Sequence, residues 1–423
     1  MPGAKGLRVA VDLSAFRTWP AGCLFAFVLL VAPVAGQQPS HPSREAEIQA
    51  ARQAKAASLK DDTPSKIEDR LSYIQREKVL ERITAGIAGF RLKFGGLATG
   101  SGFAIGPEYL RRDLAGGNVV FRGSAAASFG GWFLHDLQLT LPKLADERVQ
   151  VDLLAQYRNF GGINYYGPGP DSQKTGRTNY RLEDNSYDGT VMWKPYGPLR
   201  LGATGGWVNV NVGPGINERF ASVDETYSPQ QAIGIDRQTN FLRGGVVGAI
   251  DWRDNPGGPR RGGLYQVRLT QYSDRGINLH DFRRVDFEVQ QYIPFFNERR
   301  VIALRAKNTI TDAGSGKSVP FYLQPTVGGS DDLRGFRPFR FYGDNAMVLN
   351  AEYRWETFSG LDMALFVDAG KVSGARDRWN LNDLEGSAGF GFRFNVRNAV
   401  FMRVDVGFSH EGFQVWMKFN NVF

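Results

Sequence analysis

The sequence predicts an all-β fold: a single antiparallel transmembrane β-barrel of about sixteen strands behind a short N-terminal helical segment. Three observations carry that expectation. Apolar and polar residues alternate with period two along most of the chain from residue 82 onward. Outside the N-terminus no run approaches the ~20 apolar residues a spanning helix needs. Glycine and aromatic residues are abundant, with 51 Gly, 30 Phe, 15 Tyr and 8 Trp among 423 residues. A barrel that is apolar outside and polar inside averages to the slightly polar mean hydropathy found here. A soluble β-sandwich accounts for the alternation, but not for the alternation together with a secretory signal and an aromatic last residue.

Residues 1–36 read as a signal peptide. Lys5, Arg8 and Arg17 precede an apolar run from Ala21 to Val31, and Val34-Ala35-Gly36 supplies small residues before a cut near Gly36–Gln37. Cys23, the one cysteine, stands at the start of that run rather than at its end, where a lipoprotein site would need it. The mature chain therefore offers no disulfide and no thiolate metal site. The formal charge of +8 is not gathered into a Lys/Arg block, which argues against nucleic acid as a partner. It suits a pore lining or contact with anionic lipid headgroups.

Residues 37–81 are rich in Ala, Lys, Arg, Glu and Gln and read as a periplasmic helical segment. Glu45–Leu59 suits one helix, and Thr63-Pro64 opens another whose Ile67, Leu71 and Ile74 share a face. The barrel domain is expected over 82–423. Its strands are placed at Thr84–Gly95, Gly100–Arg111, Val119–Phe129, Trp132–Leu141, Val149–Tyr157, Tyr187–Lys194, Leu199–Val212, Phe241–Arg253, Gly263–Ser273, Arg284–Ile293 and Arg300–Thr311. Five more follow, with Leu349, Met363, Phe390, Met402 and Val415 each opening an alternating apolar face. Charge at every second position is costly in lipid, so Glu352, Asp368, Arg393, Arg403 and Asp405 should face the lumen. Segments 159–186, 213–240, 254–262 and 312–346 read as long extracellular loops. Gly95–Thr99 and Phe295–Glu298 read as short periplasmic turns.

The segment Gly328–Phe336, GGSDDLRGF, and the strands after it resemble the BamA/TamA-like outer-membrane assembly and translocation barrels. Asp251-Trp252-Arg253-Asp254-Asn255-Pro256 is similar to a second, weaker segment of that superfamily. The resemblance implies that Leu333, Arg334, Gly335 and Phe336 lie in a loop folded into the lumen. It also implies that Arg334 reaches Glu352 in LNAEYRW and Asp368 in LFVDAGKVS. Alternation independently puts both carboxylates on the lumen face of successive strands, where a guanidinium fork can satisfy both. Gly335 is expected to permit a tight backbone, and Phe336 to pack on the wall. Phe423 matches the C-terminal aromatic that such barrels present as an insertion signal. The segment before the barrel has no room for the superfamily's POTRA domains, so a variant lacking them is expected.

The four histidines, His41, His135, His280 and His410, form no metal-spaced pair, and no nucleophile motif is present. An enzyme is therefore not expected, and neither is a cofactor or a metal. The expected protein is integral to a Gram-negative-type outer membrane, with its N-terminal segment in the periplasm. Its expected partners are outer-membrane lipids and lipopolysaccharide, with client outer-membrane proteins or a periplasmic partner besides. Two functions follow from the resemblance: insertion or translocation of proteins or lipids, or a passive or structural barrel with a fixed plug loop.

Overall fold

The structure, a computed structural model, describes residues 49–50, 53–54, 86–374, 380–396 and 399–419. The chain divides into two units, Met1–Tyr73 and Ile74–Phe423. In the first, residues 49–50 and 53–54 are helical, within the helix expected over Glu45–Leu59. The signal peptide, the rest of the helical segment expected over 37–81, and Phe423 lie outside the described residues.

The second unit is a 16-stranded antiparallel sheet rolled into a nearly closed barrel. In chain order its strands are β1 Phe90–Gly95, β2 Ala104–Leu114, β3 Val119–Ser128, β4 Phe133–Leu144, β5 Val149–Tyr165, β6 Thr178–Trp193, β7 Leu199–Pro214, β8 Asn240–Asp251, β9 Gly262–Asp274, β10 Phe282–Phe295 and β11 Arg300–Ala313. A separate two-stranded pair, β12 Thr326–Val327 and β13 Phe341–Tyr342, stands in the next connector. The barrel is completed by β14 Asn345–Phe358, β15 Leu361–Ser373, β16 Glu385–Val396, β17 Ala399–Ser409 and β18 Gly412–Phe419. Each barrel strand pairs with its neighbour in sequence, and β11 pairs directly with β14.

Period two explains the wall. Phe413, Val415 and Met417 of β18, like Leu365 and Val367 of β15, are exposed on the outer face, as lipid contact requires. The alternate positions Glu352, Arg354, Asp368, Arg393, Arg403 and Asp405 are all buried on the inner face. Ladder pairing between neighbouring strands satisfies the backbone groups along the wall, which is what lets strands span lipid. Detergent-solubilised protein should therefore migrate differently in a gel before and after boiling. Identical mobility of the two samples would count against the closed wall.

Several boundaries differ from the sequence expectation. The first strand begins at Phe90 rather than Thr84, because Gly86 and Gly89 hold φ of 72° and 88° and Ile87 bridges back to Phe90. The segment 159–186, expected as one loop, is mostly strand, and only residues 166–177 connect β5 to β6. Its Gly-Gly pair at 161–162 falls at a bulge, where the register shifts between Phe160 and Ile163. Beyond that bulge Ile163, Tyr165, Tyr180 and Leu182 enter an apolar core with Val223, Phe321 and Tyr342 from the long connectors. Burial there extends two strands whose composition reads as loop.

Two connectors lie at the opposite end from that expected. Strand alternation puts the β1–β2 connector beside the long loops, where Thr99 Oγ1 donates to Asp331 Oδ2 at 2.9 Å. The β8–β9 connector lies instead with the short turns: Arg260 Nη1 donates to the Glu298 carbonyl at 2.8 Å, and Val400 N to the Gly257 carbonyl at 2.8 Å. Length alone had suggested the reverse, but counting strands decides which end a connector occupies.

Candidate functional site

The connector between β11 and β14 is a hairpin whose stem is β12–β13, with Val327 opposite Phe341. Its tip turns at Gly328 and Gly329, with φ of 119° and 109°, a conformation open to glycine at little cost. A Cβ on Gly329 would lie 2.4 Å from the Thr99 methyl, so space as well as conformation demands glycine. Val327, Leu333, Phe336 and Phe341 pack with the wall residues Ala346, Val348 and Val372. That apolar patch seats the tip, and the polar contacts set its register.

Arg334 is 2% exposed and lies against the inner wall. Its Nε and Nη2 donate to the two oxygens of Asp368 at 3.0 and 2.6 Å, in the fork geometry that only arginine provides. Its Nη1 donates to Glu352, and its guanidinium stacks 3.5 Å from the Phe366 ring centre. The backbone joins in. Arg334 N donates to Asp368 at 3.1 Å, while the Arg334 carbonyl accepts from Trp416 Nε1 at 2.7 Å. The Gly335 carbonyl accepts from Ser409 Oγ at 2.8 Å.

The reason for Gly335 is steric. Its φ is not in the left-handed region, but a Cβ there would lie 2.6 Å from the Phe408 carbonyl oxygen. Gly407 is the counterpart on β17, where a Cβ would lie 2.4 Å from the Arg334 carbonyl oxygen. The two glycines let loop backbone and strand backbone touch.

Around Arg334 the wall carries a compact set of charges. Glu352 also accepts from Arg354 Nε at 2.6 Å and from Arg393 Nη2 at 2.9 Å. Arg393 Nη1 donates to Asp405 at 2.5 Å, and Arg403 Nη2 donates to the Ser330 carbonyl at 2.5 Å. Arg393 and Arg403 face each other in the β16–β17 ladder, so Asp405 between them offsets two like charges. Gly391, opposite Asp405, leaves the space: a Cβ there would lie 2.0 Å from the carboxylate oxygen. Buried charges persist only when paired, and here each guanidinium meets at least one carboxylate.

The structure thus brings together Leu333, Arg334, Gly335, Phe336, Glu352 and Asp368, while Phe423 lies outside the described residues. Period two marked Arg393, Arg403 and Asp405 as inward-facing but did not reveal that they share one network with Glu352. Asp331, Trp416 and Lys418 carried no sequence signal as tip contacts, because their partners are remote in sequence. The Asp251–Pro256 segment forms its own turn: Arg253 forks onto Asp251 at 2.9 Å, and Asp254 accepts from the amides of Arg260 and Arg261.

No curated protein matches the chain. Among solved structures, BamA from Haemophilus ducreyi lacking POTRA domains 1–3 is similar in fold. That likeness has a TM-score of 0.59 at 16% identity and covers 78% of this chain and 70% of that one. CdiB from Escherichia coli is similar with a TM-score of 0.52 at 13% identity, covering 77% of this chain and 60% of that one. This chain therefore spans less than two thirds of the CdiB chain. At these identities the likeness establishes the fold alone. The family rests on sequence: a family model described as the Omp85 superfamily domain matches residues 133–411, and the chain belongs to the Omp85 superfamily.

Proposed function

We propose that this barrel assists insertion or translocation of proteins or lipids at a bacterial outer membrane, with the tip at 328–338 docked in its lumen as a movable element. The observation that carries this reading is the manner of docking. Polar tip contacts reach Arg305 on β11, Asn350 on β14, Asp368 on β15, Ser409 on β17 and Trp416 on β18. A segment whose contacts span the C-terminal wall up to the last strand can report or restrain movement of that wall. Lipid is the natural partner of the apolar outer face, and unfolded client barrels are the proposed cargo. The rival reading is a passive or structural barrel with a fixed plug. It is favoured by the near-complete burial of Arg334, since an inaccessible ion network resists release.

The test is insertion of a urea-unfolded outer-membrane protein into lipid vesicles with and without this barrel, alongside planar-bilayer conductance. Under the proposed function the parent speeds insertion and shows flickering currents. Deletion of Ser330–Pro338 should abolish the gain in insertion and raise the current. A silent parent that does not speed insertion, with a deletion that opens a steady pore, would establish the plug reading instead.

A further inference from the structure

Among the described residues the joint between β1 and β18 differs from the other joints in the wall. Among the described residues no strand ladder joins these two strands. They meet through aromatic contact, with the Phe94 and Phe419 rings 5.2 Å apart edge to face, and Phe103 of the β1–β2 connector adds a ring 6.2 Å from Phe419. Every neighbouring pair elsewhere has a strand ladder; between the described residues of β1 and β18 aromatic rings make the contact.

Behind that joint lies the tip. Asp331 Oδ2 accepts from Lys418 Nζ of β18 at 3.0 Å and from Thr99 Oγ1 of the β1–β2 connector at 2.9 Å. Its Oδ1 lies 3.3 Å from Arg403 Nη2 of β17. Ser330 Oγ is 3.2 Å from the same Thr99 hydroxyl. On the same side, a Cβ on Gly100 would lie 2.9 Å from the Pro338 ring, so the first hairpin rests against the tip at a second point. One carboxylate oxygen therefore holds a group from the last strand and a group from the first hairpin.

We infer that Asp331 is a positioning residue that staples the seam between the first hairpin and the last strand from inside the barrel. The staple makes seam separation and release of the tip a single event. Parting β1 from β18 must break either the Thr99 or the Lys418 contact, and withdrawing the tip removes both. This inference rests on the docked-tip reading above and adds its regulation: the tip restrains the seam through Asp331, while Arg334 anchors the tip to the wall.

Distance measurement by pulsed electron spin resonance tests it. Spin labels go on Leu92→Cys and Met417→Cys, both on the outer face and outside the network, in a Cys23→Ser background reconstituted in lipid vesicles. The parent should give one narrow distance population. Asp331→Asn keeps the size but removes the charge, and should raise the long-distance population at least about fivefold. Thr99→Val and Lys418→Gln should shift it the same way by less. Asp331→Asn combined with Lys418→Gln should add little to Asp331→Asn alone. A folded Asp331→Asn protein with the parent's distance distribution would overturn the staple. If Asp331→Asn does not fold, Thr99→Val decides, and an unchanged distribution there overturns it equally. Client insertion by the unlabelled parent is measured separately. Its absence would remove the transport function and leave the seam result standing.

Discussion

Glu352→Gln should destabilise the folded barrel by about 3–5 kcal/mol, the cost expected when one partner of a buried ion network loses its charge. The carboxylate is the shared acceptor of three guanidiniums, Arg334 of the tip and Arg354 and Arg393 of the wall, and all three are buried. The amide keeps the shape but cannot offset three positive charges, and one face of it presents donors to donors. The readouts are refolding yield from urea and the temperature at which the boiled-type gel band replaces the folded one. Removing Arg334 as well should recover part of the loss, because one of the mutually repelling cations is gone. A double-mutant coupling of at least about 1 kcal/mol is expected. Strict additivity would mean that Glu352 and Arg334 do not share an electrostatic site.

Barrel class and the inward face were legible because period two is a local signal, readable strand by strand. Glu352 and Asp368 could be placed on one side of successive strands with no knowledge of register. Register itself was not legible. That Asn350 faces Asp368, or that Arg393 opposes Arg403, follows from ladder offsets that alternation does not encode. Loops were least legible where packing overrides composition. The stretch NFGGINYYGPG reads as a connector, yet burial of Ile163 and Tyr165 in the core at the long-loop end carries strand through much of it. The role of Gly335 was visible as a need for glycine but assigned to backbone conformation, whereas a close approach to Phe408 requires it. A sequence shows that a side chain is absent; only coordinates show what occupies its place.

Gly407→Ala should expel the tip while leaving the wall intact. The added Cβ would lie 2.4 Å from the Arg334 carbonyl oxygen and 2.8 Å from the Gly335 amide nitrogen, both backbone atoms that cannot rotate away. Gly407 has no left-handed φ, so alanine suits the strand itself and the strain falls on the tip. Overpacking of this kind costs about 1–3 kcal/mol, enough to shift a docking equilibrium by roughly 5- to 150-fold. The tip's withdrawal carries Arg334 from its carboxylates, but Arg354 and Arg393 still offset Glu352, so the barrel should keep its heat-dependent gel shift. Gly386→Ala on β16 is the control, since the nearest atom to its Cβ would be 4.0 Å away. Maleimide labelling at Ser330→Cys, in a Cys23→Ser background, reports the tip directly because Ser330 is 1% exposed when docked. Labelling should be slow in the parent and in Gly386→Ala, and at least about fivefold faster in Gly407→Ala. Equal rates in all three would mean that β17 moves aside to keep the tip in place, and that the wall, rather than the loop, is the softer partner at this contact.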